Sequence, residues 1–534
     1  MDHAFAPFTA PRADLVLDRA AGTLLAAACG DALGVPYEFA HTLGAHETPQ
    51  MKGGGLGPYA PGEYSDDTQM AVCIAQVLAD GATDTADPAV LDRIAENFLT
   101  WIAEGASDRG AQTNKILGAA GPLRGRPGSA AAMAKAARAL TDNGAPSAGN
   151  GSLMRTGPVG LIALDDAEAT ARAAEVVSAL THADLLAIEA CVIWCEGIRH
   201  AVLTGTFDGV RNGLALIPTE RRGQWSAWLD EAEANPPHAF TPNGFVVRAL
   251  QAAWSAITRT PVPADDPARG VFAADHLRLA LEAAVRAGND TDTVAAIAGA
   301  LLGARWGASA VPWNFQRAVH GWPGLHSRDL VALGVRIASA GSPDPTGWPT
   351  AERHPRLAES PAPMAVVHPH DDGVLLGNLR LADRWAGDVD AVVSLCRTGT
   401  CDFAEVGRRD HVQVWLVDQS GGNAHPHFAV DQAARAVAGL RAEGRRVLVH
   451  CAAGRSRTPA VAARYSTLLG HSPDRALADV MGALAANRPL INAGLDRTVF
   501  ELAGEPAPPS ADLTGTTRPV RENQGANPAG SAGE

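Results

Sequence analysis

The chain has a deficit of basic residues, no long apolar run and few cysteines, and each shortage excludes a class of protein. Its 44 Lys and Arg residues are outnumbered by 58 Asp and Glu residues, which gives a formal charge of −14 at pH 7. An acidic surface repels nucleic-acid phosphates, so we expect no avid nonspecific binding of DNA or RNA. No stretch reaches the roughly 18 uncharged apolar residues of a transmembrane helix, so we predict no membrane association.

The seven cysteines are scattered and odd in number, which does not suit a fold held together by disulfides. Residues 1–22 carry acidic residues early and lack a basic region followed by an apolar run. This segment therefore does not predict a secretory signal. We expect reduced thiols and a cytoplasmic protein.

A length of 534 residues exceeds what one hydrophobic core usually supports, so we expect more than one domain. Residues 14–340 are rich in alanine and carry apolar residues at helical spacing, which predicts an all-α domain. Residues 341–363 are rich in Pro and Gly and predict a linker. Over 364–503, β-branched runs alternate with helical segments, which predicts an α/β domain with a central, mainly parallel sheet. The composition of 504–534 predicts a disordered tail.

Two segments of the helical domain place paired acids at the start of a helix. Ser65–Thr68 has the sequence SDDT, and Asp290–Thr293 has the sequence DTDT. Either segment alone is consistent with helix capping, since Ser, Thr and Asp favour the N-terminal turn. Two acid pairs in one cleft would instead repel each other unless hard cations neutralised them. Carboxylate and hydroxyl oxygens are the ligands that Mg²⁺ and Mn²⁺ prefer.

The order of motifs in this domain resembles that of the ADP-ribosylglycohydrolase family. Gly30–Gly34 followed by Glu38 resembles the family's GDxxGxxxE pattern. SDDT and the later GNDTDT resemble its two metal motifs, although Thr is more usual than Ser at position 65. GNGSLMR at 149–155 resembles the segment that lies against ADP-ribose, and Thr181–His182 resembles the TH element. Without the family, GNGS indicates a turn and the histidine a structural role.

The resemblance implies a compact helical fold that binds two Mg²⁺ or Mn²⁺ ions and removes ADP-ribose from a modified substrate. The metal ligands that it implies are Ser65, Asp66, Asp67, Asp290, Asp292 and Thr293. The residues implied to contact the substrate are Asn150, Gly151, Ser152 and His182. Glu38 is implied as an acid that gates the ribose or supports proton transfer.

A second site is indicated by the sequence VLVHCAAGRSRT at 447–458. An apolar strand runs into Cys451, five residues follow, and Arg457 precedes a helical segment. Backbone N–H groups of such a loop can surround a phosphate, and the helix N-terminus adds its positive end. This field favours the thiolate, and the guanidinium can hold two phosphate oxygens. A cysteine of an ordinary core strand would not require this spacing.

The stretch 364–503 resembles the cysteine-dependent phosphatases, and its short form resembles the dual-specificity type. The resemblance implies a phosphocysteine intermediate without a cofactor, and an aspartate that protonates the leaving alcohol. We predict Asp418 as this acid, with Asp410 and Asp431 as alternatives. Thr458 is expected to donate to the sulfur, and His450 to orient the loop and help keep Cys451 ionised. The remaining residues expected to surround the phosphate are Ala452, Ala453, Gly454, Arg455 and Ser456.

The two sites together predict a bifunctional hydrolase with an ADP-ribosylated substrate and a phosphorylated substrate. The alternative is a cysteine phosphatase whose helical domain only binds ADP-ribose and thereby recruits substrates. The presence of both metal motifs favours the first interpretation. The linkage of the ADP-ribose and the class of phosphate ester stay open at this stage.

Overall fold

The computed structural model describes residues 10–40, 42–44, 46–354, 362–383, 389–487 and 489–507. Part of the predicted linker (355–361) and most of the predicted tail (508–534) lie outside these residues. No helix within the described ranges is both long and apolar enough to cross a bilayer.

The predicted helical domain is confirmed. Its helices are α1 (Ala10–Gly34), α2 (Asp66–Ala79), α3 (Pro88–Glu104), α4 (Ala111–Ala120), α5 (Ser129–Asp142), α6 (Ala167–Ala179), α7 (Leu185–Thr204), α8 (Gly209–Asn212), α9 (Thr219–Ala234), α10 (Val246–Arg259), α11 (Asp275–Val285), α12 (Thr291–Trp306), α13 (Trp313–Ala318) and α14 (Ser327–Ala338). A short antiparallel pair, β1 (His320–Gly321) and β2 (Leu325–His326), precedes α14 and was not predicted.

Helices α1 and α12 pack against each other closely enough to bring their acidic residues together. A Cβ atom at Gly30 would lie 2.2 Å from the carbonyl oxygen of Ala295, and one at Gly34 would lie 2.4 Å from the Cα of Asp292. Only glycine fits at these two positions, because larger side chains would push the helices apart. The GDxxG glycines therefore hold Asp31 of α1 beside the start of α12.

The second half of the chain forms a small mixed sheet with helices. Its strands are β3 (Ala365–His368), β4 (Asp371–Asn378), β5 (Ala391–Ser394), β6 (His411–Gln413) and β7 (Val447–Cys451). Their order is β3-β4-β7-β5-β6, with β3 antiparallel to β4 and the other pairs parallel. Its helices are α15 (Pro426–Ala442), α16 (Arg457–Leu468), α17 (Pro473–Ala483) and α18 (Ala493–Leu502). Strand β3 was not predicted, because its four residues are too few to show a period.

The two halves of the chain pack directly against each other. Arg317 donates to Glu443 over 2.7 Å and to Asp410 over 3.1 Å. The rings of Phe272 and Phe428 meet edge to face with centroids 5.5 Å apart. The apolar and ionic contacts together fix the orientation of the sheet relative to the helical domain.

We call residues 341–354 the connecting segment, which is the described N-terminal part of the predicted linker. Trp348 of this segment is buried, and the carboxylate of Asp344 accepts hydrogen bonds from the backbone N–H groups of Thr346 (2.7 Å) and Trp348 (3.1 Å). The segment is therefore folded onto the rest of the molecule, although its composition resembles that of an unstructured linker.

Candidate active sites

Six acidic side chains meet in a cleft at the N-terminal ends of α2 and α12. In one group, Asp31, Asp67 and Asp292 each place a carboxylate oxygen within 4.8 Å of the others. Glu38, Asp290 and Asp292 form a second group by the same measure. Asp292 thus belongs to both groups. Asp66 belongs to neither, but burial and the negative charges of nearby acids raise its pKa well above the ordinary value.

The acidic motifs do not cap their helices. Ser65 is the N-cap residue of α2 and Asp290 is that of α12, yet neither side chain makes a capping hydrogen bond. The Ser65 hydroxyl lies 2.8 Å from an oxygen of Asp31 and 3.0 Å from one of Asp67. The Asp290 carboxylate accepts from the side-chain amide of Asn150 over 2.7 Å. These side chains therefore face the acid cluster instead of the helix ends.

Asp31, which was not predicted as a site residue, connects the first motif to α1. One oxygen accepts from the Ser65 N–H (2.8 Å) and hydroxyl (2.8 Å), and the other from the Thr68 N–H (3.0 Å) and hydroxyl (2.6 Å). The signal was present, since this is the Asp of the GDxxG pattern. Its position inside a helix, however, gave no independent reason to assign it a function.

Burial and mutual repulsion disfavour negative charge in the cluster. Burial raises the pKa of Asp31, Asp67, Asp290 and Asp292, and burial with the charge of Asp290 raises that of Glu38 to about 8. Within the described residues, Oδ1 of Asp67 is buried without a hydrogen-bond partner. The atoms that could bind a metal ion in this cluster are all oxygens, which hard divalent cations prefer. The Thr293 side chain lies beside Asp67 and Asp290 in the same cluster.

The GNGS loop lies directly beside the second acid group. Asn150 donates to Asp290 and also to the carbonyl oxygen of Asn243 over 3.0 Å. Asn243 accepts from the Asp290 N–H over 3.1 Å and donates to the carbonyl oxygen of Gly288 over 2.9 Å. Asn243 thus joins the loop to the second motif. It was not predicted, because a lone Asn in a Pro-rich loop belongs to no motif.

The Ser152 and His182 side chains support this loop from the interior. The buried Ser152 hydroxyl accepts from the Ser178 hydroxyl over 2.9 Å. The His182 ring would lie 3.0 Å from a Cβ at Gly151, so the loop backbone packs on the imidazole. Burial lowers the pKa of His182 to about 3, so the ring is neutral at physiological pH. A contact between this part of the loop and ADP-ribose would therefore use its backbone, including that of Gly151.

The second site is built at the end of the central strand β7. Cys451 ends the strand, the loop 452–456 follows, and α16 begins at Arg457. Burial alone would raise the pKa of the Cys451 thiol, but the Arg457 guanidinium and hydrogen bonds from Thr458 and Gly454 outweigh it, so the pKa is lowered. Gly454 has φ 69°, and a Cβ there would lie 2.8 Å from the carbonyl oxygen of Gly377. The arrangement can therefore hold a thiolate beside a cation.

Arg457 is anchored by two carbonyl oxygens, those of Leu395 (2.7 Å) and Leu416 (3.0 Å). Of the three candidate acids, Asp418 lies at the loop, where it accepts from the Ser456 hydroxyl over 2.7 Å and lies 3.8 Å from the Nε of Arg457. The two alternatives are engaged elsewhere. Asp410 pairs with Arg317, and the buried Asp431 pairs with Arg464 over 2.7 Å.

His450, which was expected to orient the loop and help keep Cys451 ionised, has an uncharged ring. Burial lowers its pKa to about 3, and its Nε2 lies 2.6 Å from the Ser394 hydroxyl. A neutral ring adds no positive charge next to Cys451. The charge that favours the thiolate is therefore that of Arg457, while His450 fixes the end of the strand.

Asn487, which was not predicted as a site residue, supports the loop from outside. Its side-chain amide donates to the carbonyl oxygens of Ala453 (3.0 Å) and Gly454 (3.3 Å). Its backbone carbonyl oxygen accepts from the Nε of Arg455 (3.0 Å). Loop carbonyls are held on the outside in this way. The backbone N–H groups can then point inward, as a phosphate-binding loop requires.

Comparison with known proteins provides independent information on the helical domain. The family model described as ADP-ribosylglycohydrolase matches residues 12–343. An "ADP-ribosylarginine hydrolase Tri1" of Pseudomonas putida is 29% identical over 306 residues, which cover 55% of this chain and 72% of that relative. An "ADP-ribosyl-[dinitrogen reductase] glycohydrolase" of Rhodospirillum rubrum is 26% identical over 319 residues, or 56% and 88% of the two chains. A solved structure titled "ADP-ribosylglycohydrolase-related protein complex" aligns at 25% identity with a TM-score of 0.43, over 61% of this chain and 99% of its own.

Proposed function

Since the chain belongs to the ADP-ribosylglycohydrolase family over residues 12–343, we propose that its helical domain hydrolyses the bond between ADP-ribose and a modified substrate with the help of two divalent cations. This proposal rests on the two clusters of three acids described above, which have Asp292 in common. Charges this close and this buried need a counter-charge, and the unpartnered oxygen of Asp67 offers a ligand for one.

The residues that would hold the cations are Asp31, Ser65, Asp66, Asp67, Asp290, Asp292 and Thr293. When bound, Mg²⁺ or Mn²⁺ would supply Lewis-acid polarisation of the substrate oxygens. We assign to Glu38 the proton transfer at the leaving group, since it is only partly buried and lies at the edge of the cluster. Asn150 orients Asp290, and the loop backbone at Gly151 faces the ribose or diphosphate.

Arginine-linked ADP-ribose is the first substrate to test, because the relative from Pseudomonas putida is named as an ADP-ribosylarginine hydrolase. We expect release of ADP-ribose in Mn²⁺ or Mg²⁺, none in EDTA, and a loss of at least about 100-fold in Asp67→Asn. Asp166→Asn is the matched control, since Asp166 starts α6 and does cap it, accepting from the Ala169 N–H over 2.9 Å. Metal-independent release would contradict the proposal. Binding of ADP-ribose without release would favour the alternative of a recruiting domain.

For the second half of the chain we propose hydrolysis of phosphate monoesters through a phosphocysteine. The Cys451 thiolate attacks phosphorus and the P–O bond breaks, while Asp418 gives its proton to the departing alcohol oxygen. Water then attacks phosphorus, Asp418 takes a proton from it, and the S–P bond breaks to release phosphate and the thiolate. Arg457 holds the phosphate oxygens in both steps. The lowered pKa of Cys451 beside Arg457 supports this proposal.

Release of nitrophenol from p-nitrophenyl phosphate tests the phosphatase directly. We expect Cys451→Ser to abolish the release, because a hydroxyl in this loop is not ionised at neutral pH. Cys401→Ser, which replaces an exposed cysteine, is the matched control and should retain full activity. Equal activity of Cys451→Ser and wild type would refute the assignment.

A further inference from the structure

The phosphate-binding loop opens into a cavity that neither half of the chain forms alone. The cavity measures about 420 Å³. Asp418, Ala452 and Arg457 line it on the side of the loop, and Arg328 of α14 lines it from the helical domain. The connecting segment closes another side with Trp348. A group attached to a phosphate in the loop would therefore contact all three parts of the chain.

Two indole rings and an arginine form one wall of this cavity. The rings of Trp348 and Trp415 meet edge to face with centroids 5.8 Å apart. The guanidinium carbon of Arg397 lies 4.6 Å from the centroid of Trp348 and 5.7 Å from that of Trp415. Ion pairs to Asp14 (3.0 Å) and Asp344 (2.8 Å) hold this arginine in place. The wall thus combines the buried Trp348, the partly exposed Trp415 and an arginine whose charge is balanced by two carboxylates.

We propose that this interdomain cavity selects small phosphate monoesters that carry a planar base, of the class of nucleoside monophosphates. The inference rests on the proposed phosphatase function. Aromatic faces and arginine planes stack on bases with little dependence on their identity. Gln413 and Gln419 line the same cavity and can bond to the edges of a base or to ribose hydroxyls.

The size and the walls of the cavity favour a small molecule over a phosphorylated protein. A volume of about 420 Å³ is in the range of small-molecule sites, which run from about 300 to 1,000 Å³. A phosphoprotein would have to present its side chain past the connecting segment and α14, which line the cavity with Trp348 and Arg328. Trp348 lies outside the stretch that resembles a phosphatase, so the connecting segment gives this chain a selectivity of its own.

The test compares kcat/KM of the full-length protein for adenosine monophosphate, glycerol phosphate and a phosphotyrosine peptide. Wild type should prefer the nucleotide, and Trp415→Leu, which removes the more exposed ring, should lower the ratio of nucleotide to glycerol phosphate by about 5- to 150-fold, the value of one base stack. Trp348→Leu removes the ring that packs on Trp415, so it should lower the same ratio and serves if Trp415→Leu fails to fold. Trp228→Leu is the matched control, since Trp228 packs on Trp225 and does not line the cavity.

The outcomes separate the inference from the proposed function. Phosphate release that depends on Cys451 but shows no preference for the nucleotide, or a preference for the peptide, overturns the inference and leaves the phosphatase intact. An unchanged ratio in both folded tryptophan variants overturns it as well. If no substrate releases phosphate in a manner that depends on Cys451, the proposed function fails and the inference fails with it.

Discussion

Replacing Asp292 with Asn should stabilise the cation-free protein and destabilise the cation-bound protein, each relative to wild type. Its carboxylate lies within 4.8 Å of acidic oxygens in both groups, those of Asp31 and Asp67 and those of Glu38 and Asp290. Two unit charges at this separation repel by about 3.5 kcal/mol at an effective dielectric constant of about 20. In wild type, proton uptake by the acids relieves much of this repulsion. We therefore expect Asp292→Asn to be more stable than wild type without cations by only about 1–3 kcal/mol.

Cation binding should reverse this order. A saturating cation at about 100 times its Kd stabilises a protein by about 2.7 kcal/mol per site, so wild type should gain about 5 kcal/mol from two sites. Asp67→Asn and Asp290→Asn should each lose one site, whereas Asp292→Asn should lose both because it serves both groups. Thermal unfolding with and without Mn²⁺, together with titration calorimetry for the number of ions, measures these effects. A less stable cation-free Asp292→Asn, or one that binds two ions like wild type, would refute the reasoning.

Three further predictions concern groups around the two sites. Arg457→Lys should shift the pH midpoint of Cys451 alkylation by iodoacetamide upward, because the guanidinium offsets the effect of burial on the pKa of the thiol; an unchanged midpoint would remove Arg457 from this role. Asn243→Ala leaves the Asp290 N–H without its acceptor, so denaturant titration should show a loss of about 1–3 kcal/mol, and no loss would be inconsistent with the bond. Burial lowers the pKa of His182 and His450 to about 3, below the ordinary 6.5, so the unfolded chain binds protons first. Their stabilising contribution should be complete above about pH 6.5 and decline by up to about 1.4 kcal/mol per pH unit for each ring as the pH falls towards 3; His182→Gln should flatten this dependence, and an identical slope would contradict it.

Local sequence predicted those parts of the sites that begin at a helix start or a strand end. SDDT and DTDT each open a helix, and the strand, loop and helix around Cys451 occur where the spacing predicted them. In each of these three segments, the residues expected to bind or react lie within one short run of the sequence. Such segments depend little on the rest of the chain, which is why their pattern alone was informative.

Residues that act through distant contacts were not predictable in this way. Asp31, Asn243 and Asn487 each support a site from a segment far along the chain. Asp31 belongs to the GDxxG pattern but lies inside a helix, and neither asparagine carried a signal of its own. The charge of His450 depends on burial, which the residues next to it do not reveal. The fold of the connecting segment depends on Asp344 and on contacts with both halves of the chain. Its Pro- and Gly-rich composition therefore indicated a linker but not the wall of a cavity.

The most direct test of two independent hydrolytic sites in one chain measures both activities on the same preparations. ADP-ribose release from ADP-ribosylarginine and phosphate release from p-nitrophenyl phosphate would be assayed in Mn²⁺ for wild type, Asp292→Asn and Cys451→Ser. We predict that Asp292→Asn loses only the release of ADP-ribose and that Cys451→Ser loses only the release of phosphate. Loss of both activities in either folded variant, or wild type that performs neither reaction, would contradict the account.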